Sequence, residues 1–318
     1  MEIYGMLGEK LGTIGKDKTH DSGQPEEQNV PQWKKDFLQK PSISSRNGIA
    51  WGYGTPYEDT DTLVLTSTKS DFVDIRFPRK RELGKPIASD PSFWAFSGTS
   101  STTFLGVDGI EMRYSAHCVW EHEIDSKGPG ISDEGDMFLL PNGDCMEVGM
   151  MQNPKSGKVE MYKEYWTSPD VAGEPELELV PCIVAKIIQM PNDHEGQAPS
   201  LRNGNGGTII RIGNYCQGIV RQQSGDREGQ PVGADAVLVE RWTRGIFEAD
   251  RTSSTAAGGE QPLAASTGWI PDWRNNTPSD TGVSVPCMWV CDDNRKLGDQ
   301  IVVKGATWEV VEAVLERR

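Results

Sequence analysis

The sequence predicts an all-β chain built as two antiparallel units with few short helices. Three observations carry this. The 318 residues include 35 glycines and 20 prolines spread along the chain, which cut it into segments too short for most helices. Apolar runs are brief and bounded by turn residues. The longest patterned stretch alternates with period two, the repeat of a strand. The length suits two units of about 130–150 residues each.

Residues 1–43 read as a partly mobile N-terminal extension, because 7–32 are polar and rich in Gly, Lys, Asp and Gln. Within it, QWKKDFLQKP (32–41) is expected to be a short amphipathic helix closing one barrel end, with Trp33 and Phe37 on one face. DTLVLTS (61–67) and DFVDIRF (71–77) form a hairpin turning at Thr68, Lys69 and Ser70. WAFSG (94–98) is a short strand, and GTSSTTF (98–104) reads as a Ser/Thr-rich turn. IEMRYSAHCVWEHEID (110–125) gives the clearest signal. Met112, Tyr114, Ala116, Cys118, Trp120, His122 and Ile124 form its apolar face, and Glu111, Arg113, Glu121 and Glu123 lie opposite. ISDEGDMF (131–138) reads as a solvated acidic loop before a strand. In the stretch 137–166, turns are expected at Asn142-Gly143 and at Ser156-Gly157.

Proline, glycine and acidic residues cluster near VAGEPE (171–176), which places a boundary at about 170–178 and divides the chain into units 44–172 and 173–318. The second unit is expected to contain strands at CIVAKIIQM (182–190), TIIRIGNYCQGIVRQ (208–222), AVLVERWTRG (236–245), VPCMWVC (285–291), DQIVVKG (299–305) and TWEVVEAVLE (307–316). GNGG (204–207) reads as a hairpin turn. The low-complexity insertion at 251–268 is either disordered or a lid over a barrel mouth.

Composition excludes several classes. Against 32 Lys+Arg stand 47 Asp+Glu, a net charge of −15, and such a field repels nucleic acid. A basic membrane-surface helix does not fit, nor does any apolar run approach the roughly 20 residues of a membrane span. The N-terminus does not read as a signal peptide, so a cytoplasmic protein is expected. The six cysteines are scattered without a CxxC, as reduced residues would be. Cys287 and Cys291 would share one face of a strand, too far apart for a relaxed disulfide.

Catalytic motifs are sparse. His117 and His122 are five apart on a strand, face opposite sides and cannot chelate together. There is no GxSxG, GNGG lacks the GK[ST] of a phosphate loop, and the acidic loop lacks EF-hand spacing. No metal and no nucleotide or redox cofactor is expected. What remains is aromatic and basic. The chain has ten tryptophans, and Trp94, Trp120, Trp166, Trp242 and Trp289 fall in or beside expected strands, with Tyr114, Tyr162 and Tyr215. Such residues either form core or line a pocket for an apolar or aromatic small molecule. Arg113, Arg211, Arg221, Arg241 and Arg244 are candidate donors to a ligand carbonyl. His122, beside Trp120 near its strand's end, is another candidate donor or a structural histidine.

At DTLVLTS, DFVDIRF, WAFSGTSS (94–101), IDS (124–126) and DEGDMF (133–138) the chain resembles the fungal Hri family. Trp51-Gly52, the stretch PNGDCMEVGMMQNPKSGKVEMYKEYW (141–166) and RIGNYCQGIVRQ (211–222) extend the match over most of 44–245. The resemblance implies two lipocalin-like, calycin-type β-barrel units in one chain. The family is named for an interaction with a casein-kinase-like protein kinase, which implies a non-enzymatic binding or interaction protein. Similar proteins occur in fungal pathways to tropolonic sesquiterpenoids. That similarity implies a cofactor-free hetero-Diels–Alderase, a pericyclase joining a tropolone-type quinone methide to humulene. The reaction needs two apolar partners held face to face, a hydrogen-bond donor and exclusion of water. On that reading Arg221, Arg244 and His122 are the catalytic donors, and Tyr114, Trp120, Tyr215, Trp242, Trp94 and Trp289 bind substrate. The pocket would lie between the long strand of the first unit and the strands around 208–245. The cyclase is the leading expectation and the interaction protein the alternative. A homo-oligomer is compatible with either.

Overall fold

The computed structural model describes residues 2–4, 10–13, 30–80, 87–128, 131–169, 179–190, 206–221, 237–247, 266–274 and 284–317. A small hairpin, β1 (Glu2–Tyr4) and β2 (Lys10–Thr13), precedes helix α1 (Gln32–Leu38). Eight strands follow: β3 (Ser42–Trp51), β4 (Thr60–Thr66), β5 (Asp71–Pro78), β6 (Trp94–Val107), β7 (Ile110–Asp125), β8 (Ser132–Leu139), β9 (Cys145–Gln152) and β10 (Val159–Thr167). Each pairs antiparallel with the next, and β10 returns to β3, closing the barrel.

The later strands are β11 (Leu179–Gln189), β12 (Gly207–Ile212), β13 (Tyr215–Arg221), β14 (Val237–Phe247), β15 (Ser266–Arg274), β16 (Gln300–Val303) and β17 (Ala306–Arg317), with the one-turn helix α2 (Cys287–Val290) before β16. They form a curled half-barrel sheet in the order β15-β14-β13-β12-β11-β17-β16. The all-β expectation of two antiparallel units thus holds, one closed and one curled.

Barrel strands are buried on both faces over β5, and this decides the packing. Val73, Ile75 and Phe77 point outward, with Leu63 and Leu65 of β4, against Cys182, Val184, Ile210, Ile212, Ile219 and Val239 of the second sheet. Removing so much apolar surface from water is the main force joining the two sheets. Polar ties fix their register. Gln217 on β13 donates to the carbonyls of Leu63 (2.8 Å) and Val73 (2.7 Å). Arg241 on β14 donates to the Ile75 carbonyl at 2.6 Å and pairs with Asp61 at 3.1 Å. Glu312 on β17 accepts from Ser67 Oγ at 3.0 Å. The opposite face of the second sheet holds a separate core, in which Trp308, Ile209, Val220 and Trp242 pack with Val285, Cys287 and Val290.

Four local expectations change. GTSSTTF is the middle of β6, not a turn, because its hydroxyl side chains fill pleats that pair with β7. The acidic segment 132–139 is strand β8. TIIRIGNYCQGIVRQ is a hairpin, since Gly213 takes φ +53° and reverses the chain between β12 and β13. VPCMWVC forms α2 rather than a strand. Pro286 precedes the first helical residue, and a four-residue apolar run does not by itself distinguish buried helix from strand. Cys287 and Cys291 are therefore joined by a helical i→i+4 hydrogen bond and are both buried. The boundary segment 170–178, most of the N-terminal stretch 7–32, the first half of GNGG, and residues 251–265 of the insertion lie outside the described residues.

Candidate functional site

The barrel interior is built by the side chains that alternate with the outward apolar row. From β5 these are Phe72, Asp74 and Arg76; their partners across the ladders are Thr66, Val64 and Thr62 on β4 and Gly98, Phe96 and Trp94 on β6. β7 contributes Cys118, Trp120 and His122, β8 Asp133 and Met137, and β9 Cys145 and Glu147. Two features let bulky groups enter. Gly135 has no side chain where Glu147 passes; a Cβ there would stand 2.8 Å from Glu147 Cγ. Gly149 does the same for the Tyr162 ring, whose hydroxyl oxygen would be 2.4 Å away.

The result is a cavity of about 160 Å³ at the end of the barrel capped by α1. Phe37, Gln39 and Lys40 line it from the helix side, and Phe72, Phe96, Trp120 and Trp166 supply rings deeper in. As expected, Trp33 and Phe37 share one face of the helix; both pack on Phe104, at ring distances of 5.3 and 6.3 Å. Asp74, Arg76, Asp133 and Glu147 form the polar wall.

These charges are almost wholly buried. Arg46 donates to Glu58 at 2.9 Å and to Glu164 at 2.5 Å, and to Thr60 Oγ1 at 2.8 Å. Arg76 pairs with Asp74 at 2.8 Å and lies over the Trp94 and Phe96 rings, 4.7 and 5.2 Å from their centroids. Glu147 accepts from Tyr162 Oη at 2.6 Å and from Trp166 Nε1 at 2.9 Å. Burial pushes the Asp133 carboxyl up to about 6, against the opposing pull of Arg76. Burial, reinforced by Glu164 and Asp133, holds Glu147 well above the usual carboxylate range. Burial also raises Asp74, despite Arg76. Lys127, its ammonium 4.1 Å from the Trp94 ring centre, is pushed down to about 8 by desolvation there. The barrel thus offers aromatic faces beside carboxyls that are protonated more readily than free ones. Among the described residues, no three His, Cys, Asp or Glu side chains converge to hold a metal ion.

The nine residues singled out from the sequence fall in five places. Trp120 lines the cavity. Trp94 and His122 lie deeper in the barrel, where His122 stacks on Phe96 at 4.2 Å and Trp94 donates to Asp125 at 2.9 Å. Tyr114 takes φ +63°, leaves the alternation and sits half exposed beside Trp33. Tyr215 packs between the sheets, and Arg221 reaches the Glu123 carbonyl of β7 at 3.3 Å. Trp242 and Trp289 belong to the outer core of the second sheet, and Arg244 pairs with Asp293 at 3.4 Å. The structure does not bring Arg221, Arg244 and His122 together.

The residues missed were Asp74, Arg76, Asp133 and Glu147 with Arg46 and Glu164. A signal existed in DFVDIRF: after Asp71 its odd positions, Val73, Ile75 and Phe77, are all apolar, so they suit a second sheet, and the even Phe-Asp-Arg row must then face a barrel interior.

Comparison with known proteins agrees with this architecture. No curated protein matches the sequence. A crystal structure of an uncharacterized protein from Saccharomyces cerevisiae is similar over 87% of this chain and 100% of its own, with a TM-score of 0.54 and 18% identity, which speaks for the fold alone. No helix among the described residues is long and apolar enough to cross a membrane. The family model described as Protein HRI1 matches residues 42–312, from the first barrel strand into β17, and the chain belongs to that family.

Proposed function

We propose that this chain is a lipocalin-like binding protein whose first barrel takes one ring-sized small molecule. The observation that carries the reading is the cavity, closed in by a complete eight-stranded barrel, walled by Phe72, Phe96, Trp120 and Trp166 and bearing buried carboxyls. Apolar walls with a few convergent polar groups are the usual composition of a ligand site. About 150 Å³ is enough for a benzene ring, so 160 Å³ suits one ring with a small substituent. Crystals soaked with benzyl alcohol test this directly. Density for one ring inside the first barrel is the expected result, and an unchanged, water-filled cavity counts against it.

The hetero-Diels–Alder cyclase is the catalytic form of the same reading. In its favour, Asp133 and Glu147 hold their protons unusually well, and a protonated carboxyl in a water-poor site can donate to a substrate oxygen. Against it, a quinone methide with a terpene needs the several hundred Å³ of an ordinary substrate site, so α1 would have to move aside. The donors under this reading become Asp133 and Glu147, with Arg221 and Arg244 outside the cavity. Incubation with a quinone-methide precursor and humulene, followed by product analysis, tests it. A cycloadduct of one stereochemistry supports a cyclase, and a product mixture identical to the protein-free control rejects it.

A further inference from the structure

The interior of the first barrel holds more carboxyls than cations, and the surplus sits on the cavity wall. Arg46 is committed to Glu58 and Glu164, and Arg76 to Asp74 and, at 3.7 Å, to Glu164. Asp125 is held by His122, by the Trp94 indole N–H and by the backbone N–H of Lys127. Asp133 and Glu147 remain. Both line the cavity, and among the described residues neither makes an ion pair. Asp74 Oδ1 is also buried without a hydrogen-bond partner. Glu147 turns one oxygen to Tyr162 and the other to Trp166, each a donor, so no cation balances it. Lys40, the cation nearest the helix side, is turned to Ser70 Oγ at 2.5 Å.

An anion entering this cavity would meet carboxyls with no cation paired to them. A metal ion would need a convergent ligand set, which the described residues lack. An organic cation meets both conditions, because its charge is spread and the faces of the surrounding rings attract it. Resting on the binding reading above, we propose that the ligand is a small organic cation, a ring bearing an ammonium group. Its ring would lie against Phe96 and Trp120, and its charge between Asp133 and Glu147.

The proposal carries a pH signature. Asp133 is faced by Asp74 and Arg76 from β5, His122 from β7, Lys127 just after β7, Glu147 from β9 and Glu164 from β10. With its carboxyl up at about 6, a bound ammonium must displace a proton in acid. Affinity should therefore fall about tenfold from pH 7.5 to pH 5, whereas that of a neutral ligand should stay flat.

The test compares benzylammonium, benzyl alcohol and benzoate by calorimetric titration of the full chain at both pH values. The expected result is benzylammonium at least tenfold tighter than benzyl alcohol at pH 7.5, benzoate weakest, and the ammonium preference lost in Asp133→Asn. Benzyl alcohol or benzoate binding as tightly as benzylammonium overturns the cation proposal and leaves the binding reading standing. No binding of any of the three overturns both. If Asp133→Asn does not fold, the pH dependence in the unmodified protein decides: a flat ammonium affinity rejects the proposal.

Discussion

His122 and Asp125 stand three residues apart on β7, yet the imidazole Nδ1 meets the carboxyl Oδ2 at 2.7 Å. On a regular strand they would face opposite sides. The ladder with β6 skips Glu123, pairing Gly98 with His122 and Ser97 with Ile124. This bulge turns Asp125 inward beside His122 and sends Ile124 out to the core between the sheets. Gly98 makes the crossing possible, since a Cβ there would lie 1.8 Å from the Glu121 carbonyl oxygen. Gly98→Ala should cost about 2 kcal/mol or more. Denaturant unfolding checks it; a loss under about 0.5 kcal/mol would show that the bulge tolerates a side chain.

The raised carboxyl of Asp133 fixes a sign. Its native pKa of about 6 exceeds the ordinary 3.8, so the folded state binds more protons and stability falls as pH rises from about 4 to above 6. A shift of this size amounts to about 3 kcal/mol. Asp133→Asn removes the titration. The stability of the variant relative to the unmodified protein should therefore rise by about 2–2.5 kcal/mol between pH 4 and pH 7. A difference that does not change with pH contradicts the buried acid.

Arg46 neutralises two buried glutamates at once. Arg46→Met should destabilise by about 3–5 kcal/mol, because Glu58 is left without a counter-charge and Glu164 keeps only Arg76, at 3.7 Å. Adding Glu164→Gln should recover part of that loss, and a double-mutant cycle reads the coupling. Strict additivity would mean that the pair does not interact in this way.

Much of the fold was legible from period and punctuation. The strand 110–125, the turns at Gly143 and Gly157 and helix α1 all rest on local signals that tertiary contacts reinforce. Parity along β7 failed at two points that no local rule marks: Tyr114 with its positive φ, and the bulge at Glu123. The site was hidden for a different reason. Asp74, Arg76 and Glu147 look like a solvated row, and only closure of the barrel with a second sheet on its outside makes that row the interior. Trp242 and Arg244, by contrast, looked like lining because aromatic and basic residues in strands have the same composition in a pocket as in a core or on a surface.

Gln217 ties the two sheets through the carbonyls of Leu63 and Val73 and accepts from Arg241 Nε at 3.2 Å. Gln217→Leu keeps the volume but strands these buried groups, so a loss of about 2–4 kcal/mol is expected. Hydrogen exchange should show β4, β5 and β13 opening first. Unchanged protection in those strands would argue that the apolar contact alone joins the units.

The most direct test of the binding account is calorimetric titration of benzyl alcohol into the unmodified protein and into Cys118→Trp, whose added ring would fill the cavity beside Trp120. Saturable binding with 1:1 stoichiometry in the first, and its loss in a variant that keeps its melting temperature within a few degrees, is the result expected. Absence of binding of both benzyl alcohol and benzylammonium to the unmodified protein, or equal binding to a folded Cys118→Trp, would contradict a ligand site inside the first barrel.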